Sequence, residues 1–255
     1  MAAVTTPINS PRPGSSKAQI FGALWFVATM VVMAIGFYAA MTAPKEATMG
    51  NLYRVFFYHF PHTILSFLFP YLNCGASLLY LLWRRSNPSR ALAADAFAVA
   101  SAELTVLYAS VGLVTGVLWG RAAWGIWWTW DARLTTYLLL WLLYVSYMLV
   151  RSFAMGGQTA VLSSVLGIFA AVDIPICFMS IRWWRTQHPA PVFGGSENSG
   201  IDPVMVHAVL WNMAAWAMWG AFILGLRYAL ERRRQLKETA QNAEFYGDSS
   251  LMEAR

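Results

Sequence analysis

Six stretches of this 255-residue chain run long, apolar and almost uncharged, near 19–41, 57–83, 92–118, 134–151, 160–181 and 204–229. A helix needs roughly 17–25 such residues to cross the hydrocarbon of a bilayer. No alternation with a period of two, the mark of strands, competes with these runs. Hydrophobic residues make up 58% of the chain and charged residues 12%, against roughly 25% charged in soluble globular proteins. A soluble fold is excluded. The sequence predicts an all-α, polytopic integral membrane bundle of six transmembrane helices.

The rest of the chain divides around that bundle. Residues 1–18 carry Pro7, Pro11, Pro13, Gly14, Ser15 and Ser16 and read as a disordered tail. The first run is too long for the core of a cleaved signal peptide, so it is expected to be a retained helix. The membrane domain covers 19–230, and the polar, charged stretch 231–255 reads as a helix extension and then a tail. No internal repeat or second domain is visible. Cys74 and Cys177 are far apart and both lie in apolar runs. They read as buried thiols, not as a disulfide or a CxxC redox pair.

Lysine and arginine set the orientation. Of 18 such residues, twelve fall in the tails and even-numbered loops, and six in the odd-numbered loops: Lys45, Arg54, Arg121, Arg133, Arg182 and Arg185. The positive-inside rule then puts both termini in the cytoplasm. The same distribution reads the net charge of +6 as a topology signal, with no nucleic-acid-binding face. Six spans place the segments near 42–58, 119–133 and 182–203 on one side of the membrane, whichever side it is.

The second of these segments is the unusual one. It reads WGRAAWGIWWTWDARLT over 119–135, with Trp119, Trp124, Trp127, Trp128 and Trp130 inside twelve residues. An interfacial aromatic belt accounts for one or two tryptophans at a helix end, not for five in one loop. Gly120 and Gly125 permit turns and close approach to the backbone. Such a loop forms a shelf of flat, polarisable rings suited to a large, flat, apolar ligand.

This stretch resembles the WWD motif of the haem-handling membrane proteins, a family that includes CcmC, CcmF and the CcsA-type cytochrome c synthases. One WWD loop within six spans is most similar to the CcmC branch. The resemblance implies non-covalently held haem b, bound at the outer face of a bacterial inner membrane. It implies presentation of that haem to the chaperone CcmE during c-type cytochrome biogenesis. It further implies the small membrane protein CcmD and the ABC-type pair CcmA and CcmB as partners, beside membrane lipid.

The histidines fit the same resemblance. His59 lies in Arg54-Val-Phe-Phe-Tyr-His59-Phe-Pro61, with Pro61 suited to a first helical turn. His188 lies in Ser180-Ile-Arg-Trp183-Trp184-Arg-Thr-Gln-His188, beyond span five. Both segments resemble those that carry the family's two iron-ligating histidines, although Phe57 stands where the family tyrosine is expected and Tyr58 is one place on. Neutral imidazoles on two sides of a porphyrin serve as axial ligands. His62, one helical turn from His59, is open between a competing ligand and a supporting residue. His207 reads as an ordinary polar residue.

Haem carries two carboxylates, for which guanidinium is a good partner. Arg54, Arg121, Arg133 and Arg185 are the candidates, each equally suited to anchoring at lipid headgroups. Asp131 and Arg133 are expected to pair and brace the loop, with orientation of a donor by Asp131 as the alternative. Glu103 and Asp173 fall within spans, where acids face a protein interior. They are open between shaping a ligand path and bonding helix to helix.

Two other functions compete. A b-type cytochrome subunit for electron transfer typically holds its histidines on facing helices within the bundle, whereas His59 and His188 lie at one surface. A transporter of haem or another apolar substrate favours midplane sites and internal repeats, and only Glu103 offers a midplane group. The chain has no GxxxxGK[ST] motif and no catalytic motif, so no ATPase chemistry of its own is expected.

Overall fold

The computed structural model describes residues 16–153, 158–188 and 200–253. Among them there is no strand, and six helices are long and apolar enough to cross a membrane. The chain is a multi-pass membrane protein. The helical elements are α1 (Ser16–Thr42), a 3-10 turn (Asn51–Val55), α2 (Phe56–Trp83), α3 (Pro88–Trp124), α4 (Ala132–Phe153), α5 (Thr159–Ala171), α6 (Asp173–Trp183) and α7 (Pro203–Glu253).

Several boundaries differ from the expected ones, each for a local reason. The expected tail 1–18 lies outside the described residues up to 15, and from Ser16 the chain is already helical. Helix α2 begins at Phe56, so Pro61 falls in its second turn rather than its first. Span five is interrupted at Val172, between α5 and α6, and Pro175 just beyond lacks the N–H that would bond back across the break. Helix α7 continues to Glu253, so the expected helix extension beyond 230 runs on through the stretch where a tail was expected, as far as the chain is described. That extension is rich in good helix formers, and Arg234 bridges Glu231 and Glu238 at 2.6 and 3.8 Å.

The largest difference is in α3. Asn87 caps its start, accepting from the Arg90 N–H at 3.1 Å, with Pro88 in the first turn. The helix then runs 37 residues to Trp124, roughly 55 Å at 1.5 Å per residue, well beyond the ~30 Å of bilayer hydrocarbon. It stops where Gly125 adopts a left-handed φ of 77°, the usual glycine termination. Trp119 and Trp124 therefore stand on a helix, not in a loop.

Helix α2 packs against α3, α5 and α7, and α4 against α3, α5 and α6. The main core lies among them and includes Phe67, Ala109, Leu140, Tyr144, Tyr147 and Ile174. Helix α1 packs on α7. Opposite to the tryptophan end, Arg151 holds Asp95 through two bonds of 2.6 and 3.0 Å, and Gln235 donates to the same carboxylate at 2.9 Å. Glu231 completes the cluster, 3.7 Å from Arg151. Glu103 pairs with Arg227 of α7, so it bonds helix to helix. Asp173 is buried, and its Oδ2 finds no hydrogen-bond partner among the described residues.

Candidate functional site

The start of α2, the end of α3, the start of α4, the end of α6 and the start of α7 enclose a cavity of about 560 Å³. That is within the range of pockets that bury a small organic ligand. Its wall is mostly apolar, with Phe56, Phe60, Leu113, Phe178 and Met213 among the lining residues. His59, His188, Trp119, Trp124, Trp128 and Arg133 all line it. The structure thus brings together two histidines 129 positions apart in sequence, three of the five tryptophans between 119 and 130, and one arginine.

Three glycines on one face of α3 make room for this. Gly112, Gly116 and Gly120 recur every four residues, and small residues at that spacing let neighbours approach a membrane helix closely. A Cβ at Gly112 would come 2.2 Å from the Tyr137 hydroxyl, one at Gly116 3.0 Å from His59 Cε1, and one at Gly120 3.2 Å from the Trp124 ring. Each glycine seats one aromatic ring of the cavity wall. Tyr137 is fixed further by a 2.8 Å hydrogen bond with Ser66. Sequence reading passed over this stripe because it lies inside an apolar run. The four-residue repeat of glycine was the available signal.

The segment from Gly125 to Asp131 is short and ordered by Asp131. Its Oδ1 accepts from the Leu134 N–H at 2.9 Å, capping α4. Its Oδ2 accepts from the Thr129 hydroxyl and from the Gln187 N–H, both at 3.1 Å. Asp131 therefore braces the tryptophan segment and also ties it to the strand of chain that carries His188. The expected pair with Arg133 is not formed.

Arg133 turns inward instead. It donates to the Cys177 carbonyl at 2.6 Å, and its guanidinium stands 5.3 Å over the Phe67 ring. Among the described residues it forms no ion pair, so the cavity wall holds a buried cation with no acid beside it. The Trp128 indole N–H is also buried and finds no partner among the described residues. The indole is a donor with no acceptor among the described residues, and the guanidinium, though hydrogen-bonded, is a buried charge with no counter-charge there, and both states are costly.

The other expected site residues lie outside the cavity lining. Trp127 and Trp130 are 56% and 76% exposed. Arg121 bonds the Gly125 carbonyl and stands 5.7 Å from the Trp127 ring. Arg54 donates to the Ala43 carbonyl at 3.1 Å, and Arg185 is exposed. His62 is buried, bonds the Tyr58 carbonyl at 2.7 Å and packs 4.3 Å from the Trp216 ring. It braces α2 against α7. His207 is exposed.

Residues 6–242 match the family model described as CcmC, Heme exporter protein C. Among curated relatives, the chain is 36% identical to Heme exporter protein C of Bradyrhizobium diazoefficiens over 73% of this chain and 71% of that protein. It is 31% identical to Heme exporter protein C of Escherichia coli K12 over 86% and 85%. It is 30% identical to the putative cytochrome c biosynthesis ccmC-like mitochondrial protein of Marchantia polymorpha over 85% and 87%. With a match that spans nearly the whole chain, and with relatives of that identity over most of their length, this protein belongs to the CcmC family.

Proposed function

We propose that the cavity holds haem b as cargo and that the chain presents it to the haem chaperone CcmE in c-type cytochrome biogenesis. The observation that carries this reading is the convergence of His59 and His188 on one apolar cavity walled by tryptophan. A flat apolar macrocycle fits such a wall, and two neutral imidazoles suit its iron. Arg133 and the Trp128 N–H supply the donors that the two carboxylates require. Haem is the ligand these groups fit in size, polarity and charge.

The chain's own residues bind and orient; no residue of this site is assigned a bond-making step. His59 and His188 hold the iron, the aromatic wall excludes water, and Trp127 and Trp130 offer an exposed aromatic rim to a partner. The lysine and arginine distribution supports termini in the cytoplasm and a site on the outer face of a bacterial inner membrane. CcmD, CcmA and CcmB are the further partners of this reading, with ATP hydrolysis supplied by the ABC-type pair. Co-expression with the chaperone tests it: haem should become covalently attached to the chaperone only when this chain is present. Equal attachment without it would refute the reading.

A further inference from the structure

The hydrogen bonds around His59 bear on which ring nitrogen carries its proton. A threonine hydroxyl has one hydrogen to give. Thr115 Oγ1 stands 2.6 Å from the Val111 carbonyl and 3.3 Å from the Gly112 carbonyl. Both carbonyls can only accept, so the Thr115 hydrogen is spent on its own helix. The same Oγ1 lies 3.0 Å from His59 Nδ1. With its hydrogen on the shorter bond to Val111, Thr115 is the acceptor there and Nδ1 the donor.

A neutral imidazole carries one N–H. With that proton on Nδ1, Nε2 is left with a free lone pair. The neighbouring threonine is the rival acceptor, and distance decides against it. Thr63 Oγ1 donates to the His59 carbonyl at 3.0 Å, so it too could only accept from the ring, but at 3.5 Å from Nε2 it lies farther than Thr115 does from Nδ1. The opposite tautomer would forfeit the 2.6 Å bond at Thr115 in exchange for a contact at the outer limit of hydrogen bonding. Gly116 lies beside the same ring. A Cβ there would sit 3.0 Å from Cε1 and 3.9 Å from Nε2, so its absence keeps that edge of the imidazole open.

We infer that Thr115 is a positioning residue: it holds His59 in the Nδ1–H tautomer and so leaves Nε2 free for iron. This rests on the reading of His59 as an iron ligand. Histidine ligands to metals commonly donate their other N–H to an oxygen that fixes ring and tautomer, and loss of that oxygen typically costs roughly 10–100-fold in affinity. Here the oxygen is a hydroxyl made into a pure acceptor by its own helix.

The chain has four histidines, so protein labelled with nitrogen-15 histidine gives four pairs of ring signals, and loss of one pair in His59→Gln assigns it. In the haem-free protein the His59 proton should reside on Nδ1. Thr115→Val should erase that preference and weaken haem binding about 10–100-fold, with an altered absorption spectrum. Thr115→Ser, which keeps the hydroxyl, should restore both. A proton on Nε2 in the unmodified protein would overturn the inference. So would a Thr115→Val protein that binds haem as tightly as the unmodified one. His59→Ala separates this from failure of the ligand reading. An unchanged spectrum in that variant removes His59 from the iron and with it the role of Thr115, while the tautomer is read independently from the haem-free signal.

Discussion

The carboxylate of Asp131 accepts the backbone N–H of Gln187 at 3.1 Å, joining the tryptophan segment to the residue before His188. One side chain thus fixes two walls of the cavity that are far apart in sequence. Asp131→Asn separates its duties. Asparagine caps helices as well as aspartate, so the Leu134 bond is kept and thermal stability should change little. The amide has one acceptor oxygen, so the Gln187 tie is lost. Haem affinity should fall roughly tenfold or more, as for other residues that orient a ligand. A haem titration checks this, and unaltered affinity would show that the tie is incidental.

The tryptophans divide by direction. Trp128 lines the cavity, with its N–H buried and unpaired among the described residues, whereas Trp127 and Trp130 face outward. Trp128→Phe removes one donor. A hydrogen bond to a charged group is worth about 1.5–3 kcal/mol, so affinity should drop by about tenfold or more. The effect should disappear with haem dimethyl ester, which has no carboxylates. Trp127→Ala with Trp130→Ala should leave the haem spectrum intact and impair transfer to the chaperone. Spectra and a chaperone-loading assay distinguish the two outcomes.

Asp95 and Arg151, 4% and 11% exposed in their side chains, form a buried pair at the end of the bundle away from the cavity. Asp95→Ala leaves the arginine, among the described residues, with Glu231 at 3.7 Å. Stranding a buried charge costs about 3–5 kcal/mol, so thermal unfolding in detergent should shift clearly downward. Replacing both partners with apolar residues should recover much of the loss. Neither variant should alter the haem spectrum of the folded protein.

Much of this architecture is written plainly in the sequence. The six apolar runs announce six spans, because crossing a bilayer requires length and low charge and little else. Counting spans also places His59, the tryptophans and His188 at one end. What hydropathy does not carry is rotation about a helix axis. Trp128 and Trp130 are two residues apart, yet one lines the cavity and the other faces out. Charge counting has a similar blind spot. Arg133 sits at a loop boundary like a headgroup anchor, but its guanidinium is drawn inward by the Cys177 carbonyl and the Phe67 ring. Trp119 and Trp124 belong to α3 because nothing before Gly125 stops that helix. The glycine stripe at 112, 116 and 120 matters only through the rings set against it, and those come from elsewhere in the chain.

The central claim is that His59 and His188 hold iron across one cavity. Its most direct test is the absorption spectrum of purified, haem-loaded His59→Ala and His188→Ala proteins. Each variant should lose the bis-histidine signature and bind haem more weakly than the unmodified chain. A bis-histidine spectrum retained unchanged in both variants would contradict the account.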